Sequence, residues 1–113
     1  MTATLDPAEG HAVQINAFSA RPGQAEELAA VVKRIRDETI RQAPGFISAS
    51  IHVSDDGARA IVYAQWRSRA DDLAMRGTLG SQQRLQELQS LSTSFDPVAC
   101  SLRYGIEAGR GSP

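Results

Sequence analysis

From residue 12 to 20 the chain reads AVQINAFSA, an alternation that predicts a strand, and Arg21-Pro22-Gly23 breaks it ahead of a helix. Between residues 24 and 43, Leu28, Val31, Val32 and Ile35 recur at the spacing of one helical face, while Glu26, Glu27, Lys33, Arg34 and Asp37 fall elsewhere around it. Such a helix covers something along a single stripe. Pro44-Gly45 stops it, and FISASIHV (46–53) predicts a second strand because β-branched residues alternate with small polar ones. SDDG (54–57) is a turn, with Gly57 free to take a positive φ, and it returns the chain into a third strand ending at Trp66.

Read with a period of two, the third strand places Ala58, Ala60, Val62, Ala64 and Trp66 on one face and Arg59, Ile61, Tyr63, Gln65 and Arg67 on the other. Ser68 and Asp71 have the spacing of a capping box, so a second helix starts at about residue 69. It breaks near Gly77 or Gly80, restarts at Ser81 with Leu85, Leu88 and Leu91, and stops at Asp96-Pro97. Residues 98–107 then supply a fourth strand. Residues 1–10 form a loose leader, 11–107 the domain and 108–113 a frayed tail. The order β-α-β-β-α-β predicts an α+β, ferredoxin-like fold: one antiparallel sheet, the first and third strands central, both helices on one face. With Ile61 and Tyr63 on the uncovered face, face-to-face pairing into a homodimer is the expected solution.

Composition narrows the function by exclusion. A chain of 113 residues is one domain, too short for separate nucleotide-binding and substrate domains. Twelve basic against 13 acidic residues, a net charge of -1, give no overall pull toward nucleic acid or an anionic membrane, and no apolar run is long enough to cross a bilayer. The N-terminal stretch lacks the pattern of a secretory signal and Cys100 has no second cysteine to pair with, so a cytoplasmic protein is expected. Glycines lie at turns rather than between a strand and a helix, which removes a dinucleotide fold or phosphate loop. His11 and His52 lack neighbours at metal-ligand spacing, so no metal is expected. Asp55 and Asp56 read as turn residues, Cys100 as a buried strand thiol, and Lys33, Arg34, Arg36 and Arg41, alternating with acids, as a solvated helix face.

Two residues stand out chemically. Asn16 lies within a strand that the topology makes central, where a carboxamide without partners costs on the order of a few kcal/mol. If it shares the helix-facing side with Val62 and Trp66, the alanines leave space beneath the helices for two neutral donors, the amide and the indole N–H. A Trp that fills the core and an Asn bonded to nearby backbone would give the same pattern.

INAF in the first strand, RPG before the helix, APGFISASIH and above all YAQWRS resemble the antibiotic biosynthesis monooxygenase family, in particular its small cofactor-independent anthrone oxygenases of aromatic polyketide pathways. The likeness covers about residues 11 to 106. It implies a dimeric α+β barrel and a cofactor-free monooxygenase that uses O2 to oxidise an anthrone-type polyketide intermediate to a quinone. Asn16 and Trp66 match pocket positions of the family and are the implied catalytic donors; Phe18, His52, Val62, Asp72 and Gln86 are the implied substrate contacts. His52 is also a candidate proton acceptor if it points inward, its facing being open from sequence. Val62 stands where the polyketide enzymes typically have Asn, and Asp72 and Gln86 where a relative has Tyr and Arg. Haem-degrading relatives add a His on the second helix, and residues 68–92 contain none. A polyketide cyclase of the same barrel class and a non-catalytic aromatic-binding dimer are the rival readings.

Overall fold

The computed structural model describes residues 11–106 together with 108–109; the leader expected over 1–10, residue 107 and residues 110–113 of the expected tail lie outside the described residues. Four strands, β1 (Ala12–Ala20), β2 (Phe46–Val53), β3 (Arg59–Trp66) and β4 (Ser92–Ser101), form one antiparallel sheet in the order β2-β3-β1-β4. Helices α1 (Ala25–Ile35), α2 (Arg69–Arg76) and α3 (Leu79–Leu91) complete the ferredoxin-like α+β order. Among the described residues no helix is long and apolar enough to cross a membrane.

The local reasons are those of the sequence, with three differences. Ser68 caps α2, its hydroxyl oxygen accepting from the Asp71 backbone N–H at 3.1 Å, and Gly57 takes φ 71° in the β2–β3 turn. Gly45 is needed twice over: its φ is 81°, and a Cβ there would run into the Asp71 side chain. The first difference is that α1 does not run on to residue 43 as an α-helix; Arg36–Ile40 form a π-helical turn, closed by Arg41 N–H donating to Arg36 C=O at 2.9 Å. The second is that α3 restarts at Leu79 rather than Ser81, capped by Thr78, whose hydroxyl oxygen accepts from Ser81 N–H. The third is that the last helix ends at Leu91, and β4 spans Ser92–Ser101 rather than 98–107. Pro97, expected as a helix terminator, lies inside the strand. β4 is an edge strand, where a missing N–H is tolerated, and Phe95 stacks on Phe18 with centroids 4.7 Å apart, which rewards pairing that early.

Cross-strand partners share a face. Phe18 pairs with Ala60 and Phe95, Asn16 with Val62 and Pro97, Gln14 with Ala64, and Ala12 with Trp66, so all of these side chains look toward the helices. The core beneath the helices is in two parts. One holds Phe18, Leu28, Val32, Ile35, Ala60, Val62 and Leu88; the other holds Ala12, Ile40, Ala64 and Trp66, with Phe46 set edge-on to the indole at 5.3 Å. On the opposite face, Ile15, Ala17, Ile61 and Tyr63 are half-buried and Val98 is exposed.

Helix α2 is held to the sheet mainly by polar contacts. The Asp72 carboxylate is 1% exposed and accepts from Arg69 and Arg76, each at 2.6 Å. Arg69 also donates to the backbone carbonyls of Val13 and Cys100, at 2.8 and 2.9 Å, and so ties α2 to both β1 and β4. Removing a buried carboxylate strands the guanidiniums it neutralises; since these are 31% and 41% exposed, the expected cost is discounted to about 2 kcal/mol. Asp72→Asn should therefore lower the urea midpoint clearly. Asp37→Asn, which breaks only the exposed Lys33–Asp37 pair, should leave the midpoint where it was.

Candidate active site

Between sheet and helices lies a cavity of about 190 Å³ whose walls come from both parts of the core. An apolar cavity of about 150 Å³ suffices for a benzene ring. This one is larger, and it reaches solvent along α3, where its wall includes the exposed Leu85. Phe18, Val32, Ile35, Leu88 and Phe95 supply one apolar wall, and Ile40, Trp66 and Met75 another.

The floor is where sequence turns into chemistry. Gln14 and Asn16 project into the cavity from β1, with Ala64 and Trp66 beside them on β3. The orientation of both amides follows from hydrogen-bond logic. Arg69 donates to Gln14 Oε1 at 3.1 Å and Arg76 donates to the same oxygen, so the Gln14 amide nitrogen must point the other way; it donates to Asn16 Oδ1 at 3.0 Å. With its oxygen occupied, Asn16 has its NH2 left to offer. The charge cluster around Asp72 thus dictates, through Gln14, that Asn16 presents donors to the cavity.

Trp66 is fully buried, and among the described residues no group accepts a hydrogen bond from its indole N–H. Register separates the two donors. Asn16 lies opposite Val62, four positions from Trp66, or about 13 Å along the strand. They therefore stand toward the two ends of the floor, and Ala64, small and 1% exposed, keeps the middle low. That placement accounts for an indole at the end of a row of alanines.

The roof contributes charge. Leu28, Val32, Arg36 and Ile40 follow one another at intervals of four along α1 and its π turn, and Arg36 lines the cavity between two buried apolar neighbours. Burial pulls its guanidinium down to about 10, with Asp72 acting to raise it and Arg76 to lower it. It remains protonated at neutral pH.

Of the residues singled out from sequence, Asn16, Trp66, Phe18 and Asp72 line the cavity. Asp72 does so with its carboxylate already committed to two arginines. Val62 is fully buried in the Phe18 part of the core and does not reach the cavity wall. His52 pairs with Ile61, so it shares the face turned away from the helices, where its Nε2 lies 2.9 Å from Ser50 Oγ; it is no proton acceptor for this cavity. Gln86 is exposed on α3, whose cavity-facing residues include Gln82, Leu85 and Leu88. Cys100 is half-buried rather than buried. Arg36, expected on a solvated helix face, is half-buried and lines the cavity. Gln14, Arg36 and Arg76 were missed, although signals existed: Gln14 stands two before Asn16, Arg36 continues the row of Leu28 and Val32, and Arg69, Asp72 and Arg76 have ion-pair spacing on a helix. Among the described residues no group of His, Cys, Asp and Glu could hold a metal ion.

Residues 12–84 match the antibiotic biosynthesis monooxygenase family. The tetracenomycin-F1 monooxygenase of Streptomyces glaucescens is 33% identical over 106 residues, 94% of each chain. Among solved structures, the ActVA-Orf6 monooxygenase of Streptomyces coelicolor, in complex with nanaomycin D, superposes with a TM-score of 0.79 at 28% identity, over 90% of this chain and 96% of that one. SnoaB of Streptomyces nogalater, described as a cofactor-independent oxygenase, superposes with a TM-score of 0.76 at 19% identity, over 88% and 99%, a likeness of fold. The family match over residues 12–84 and the 33% identity over 94% of the chain, on a fold that encloses an apolar cavity, make this protein a monooxygenase of the antibiotic biosynthesis monooxygenase family.

Proposed function

We propose that this protein oxidises an anthrone-type polycyclic polyketide to the quinone with O2 as the only co-reactant and no cofactor. The observation that supports this best is the placing of Asn16 and Trp66, the two side chains able to act as neutral donors, apart on the floor of a cavity walled by aromatic and aliphatic side chains. The relatives agree in kind: one acts on tetracenomycin F1 and another was solved with nanaomycin D bound.

The chemistry needs little from the protein. An anthrone methylene is acidic because its anion is delocalised onto the oxygen across the central ring. Loss of the proton to water gives the enolate, which transfers one electron to O2; the radical and superoxide combine, forming a C–O bond. Protonation gives a hydroperoxide at the former methylene. Loss of the second C–H proton then breaks the O–O bond, leaving the carbonyl of the quinone and releasing water. One O2 and one anthrone are consumed per quinone. Asn16 donates to the enolate oxygen as charge gathers there, and Trp66 N–H faces the oxygens at the opposite carbon. Stacking on the indole and on the Phe18–Phe95 pair holds the rings flat. A second copy covering Ile15, Ile61, Tyr63 and Val98 completes the expected homodimer.

With metal-free protein and dihydroxyanthrone in an oxygen electrode, O2 uptake should match anthrone consumed one to one; product without uptake would favour the cyclase reading. Asn16→Ala should lower the turnover rate about 100-fold and Trp66→Phe, which keeps the packing, about 10-fold. Unchanged rates in both would remove these groups from the mechanism. Sedimentation should give twice the chain mass, and Ile61→Asp should shift it toward the single chain.

A further inference from the structure

Three arginines line the cavity, and two of them have carboxylate partners. Arg76 lies on Asp72; Arg84 reaches Glu38 at 3.5 Å and Glu87 at 3.6 Å. Arg36 has none: among the described residues its guanidinium makes neither an ion pair nor a hydrogen bond, and the carboxylate nearest in effect, Asp72, is taken. Arg36 is half-buried, and donors partly withdrawn from bulk water without a protein acceptor are unfavourable. The fold gains nothing in return, because Val32 and Ile40 on either side in the same row are buried apolar residues and a Leu or Met at 36 would continue them. The π turn begins at this residue, and such local widening of a helix frequently accompanies a functional site.

We propose that Arg36 binds a carboxylate on the aromatic substrate and so makes the enzyme selective for polycyclic aromatic acids over their neutral counterparts. This deepens the oxygenase reading and rests on it for the aromatic skeleton. A carboxylate is the group that fits: it is planar, offers two acceptors to the fork of a guanidinium, and carries its charge in the ground state. Asn16 and Trp66, being neutral, suit oxygens that become charged only during reaction. Arg76, held on Asp72 and Gln14, keeps a like charge beside Arg36 and deters any other cationic partner. The substrate then lies between floor and roof, its reacting ring over the neutral donors and its acid against α1. Arg36 is a specificity-determining residue, outside the bond-making steps.

The test uses equilibrium binding, so that it does not depend on turnover. Trp66 is the sole tryptophan, and its fluorescence reports occupancy of the cavity it lines. Anthraquinone carboxylate and its neutral carboxamide are titrated into the wild-type protein, Arg36→Gln, Arg36→Lys and, as control, Arg84→Gln, each checked for folding by circular dichroism. The wild-type protein should bind the carboxylate about 10-fold or more tightly than the carboxamide. Arg36→Gln should bring that ratio to about one with carboxamide affinity within about twofold, Arg36→Lys should keep part of it, and Arg84→Gln all of it. Equal affinities in the wild-type protein, survival of the preference in Arg36→Gln, or its loss in Arg84→Gln instead would overturn the assignment. Should Arg36→Gln fail to fold, the wild-type ratio and Arg36→Lys decide. Oxygen uptake with dihydroxyanthrone separates this from the parent reading: no uptake with the carboxylate preference intact defeats the oxygenase alone, whereas uptake without the preference defeats Arg36 alone.

Discussion

The buried carboxylate of Asp72 is the constraint from which the rest of the site follows. It is fully out of solvent and is held there only because two guanidiniums meet it at 2.6 Å. Those guanidiniums are in turn positioned by what else they reach: the backbone of β1 and β4 for Arg69, and the Gln14 oxygen for both. The result is directional. Charge at α2 sets the orientation of Gln14, Gln14 sets that of Asn16, and the cavity receives N–H groups in place of a carbonyl oxygen. An electrostatic element with modest net value for stability thus determines the polarity of a surface several residues away.

The same cluster explains how so small a domain tolerates an unfilled core. At 113 residues the fold has little apolar surface to spare. The two halves of the helix-side core do not close on each other; the cavity separates them, and α2 in particular contributes few buried apolar side chains, Asp72 being its one fully buried residue. Polar latching of α2 replaces the packing that a continuous core would have supplied. Hydrogen bonds and ion pairs hold geometry without occupying volume, which lets the space beneath the helix stay open.

Legibility from sequence followed the same division. Strand and helix order, the capping box at Ser68, the Gly57 turn and the single-sided alanine face of β3 were all readable, because period, cap and turn chemistry are local. Asn16 and Trp66 were readable as a pair from the central-strand position and the lone indole. The start of β4 was not: an Asp-Pro pair is a strong local terminator, and only the long-range stacking of Phe95 on Phe18 and the freedom of an edge strand overrule it. The facing of His52 was not legible, because it depends on the β2–β3 register. The family resemblance marks Asp72 as a substrate contact, whereas the ion-pair spacing of Arg69, Asp72 and Arg76 is the local signal that its carboxylate is already committed. Arg36 was lost among alternating charges, although its place in the row of Leu28 and Val32 was there to be read.

That last case shows how the cavity is polarised. A helix that covers a sheet with one stripe ordinarily keeps the stripe apolar, and a cation within it is a local contradiction. In α1 the contradiction sits at the α-to-π junction, over the part of the sheet whose own polar residues, Gln14 and Asn16, break the apolar pattern of β1. The two departures face each other across the same space. Elsewhere both elements obey their patterns: Leu28 and Val32 meet Phe18, Ala60 and Val62 in ordinary core packing. A floor of neutral donors opposed by a charged roof is therefore a property of one segment of the interface between helix and sheet, confined to the region where the core opens, and it leaves the folding code of the remaining segments intact.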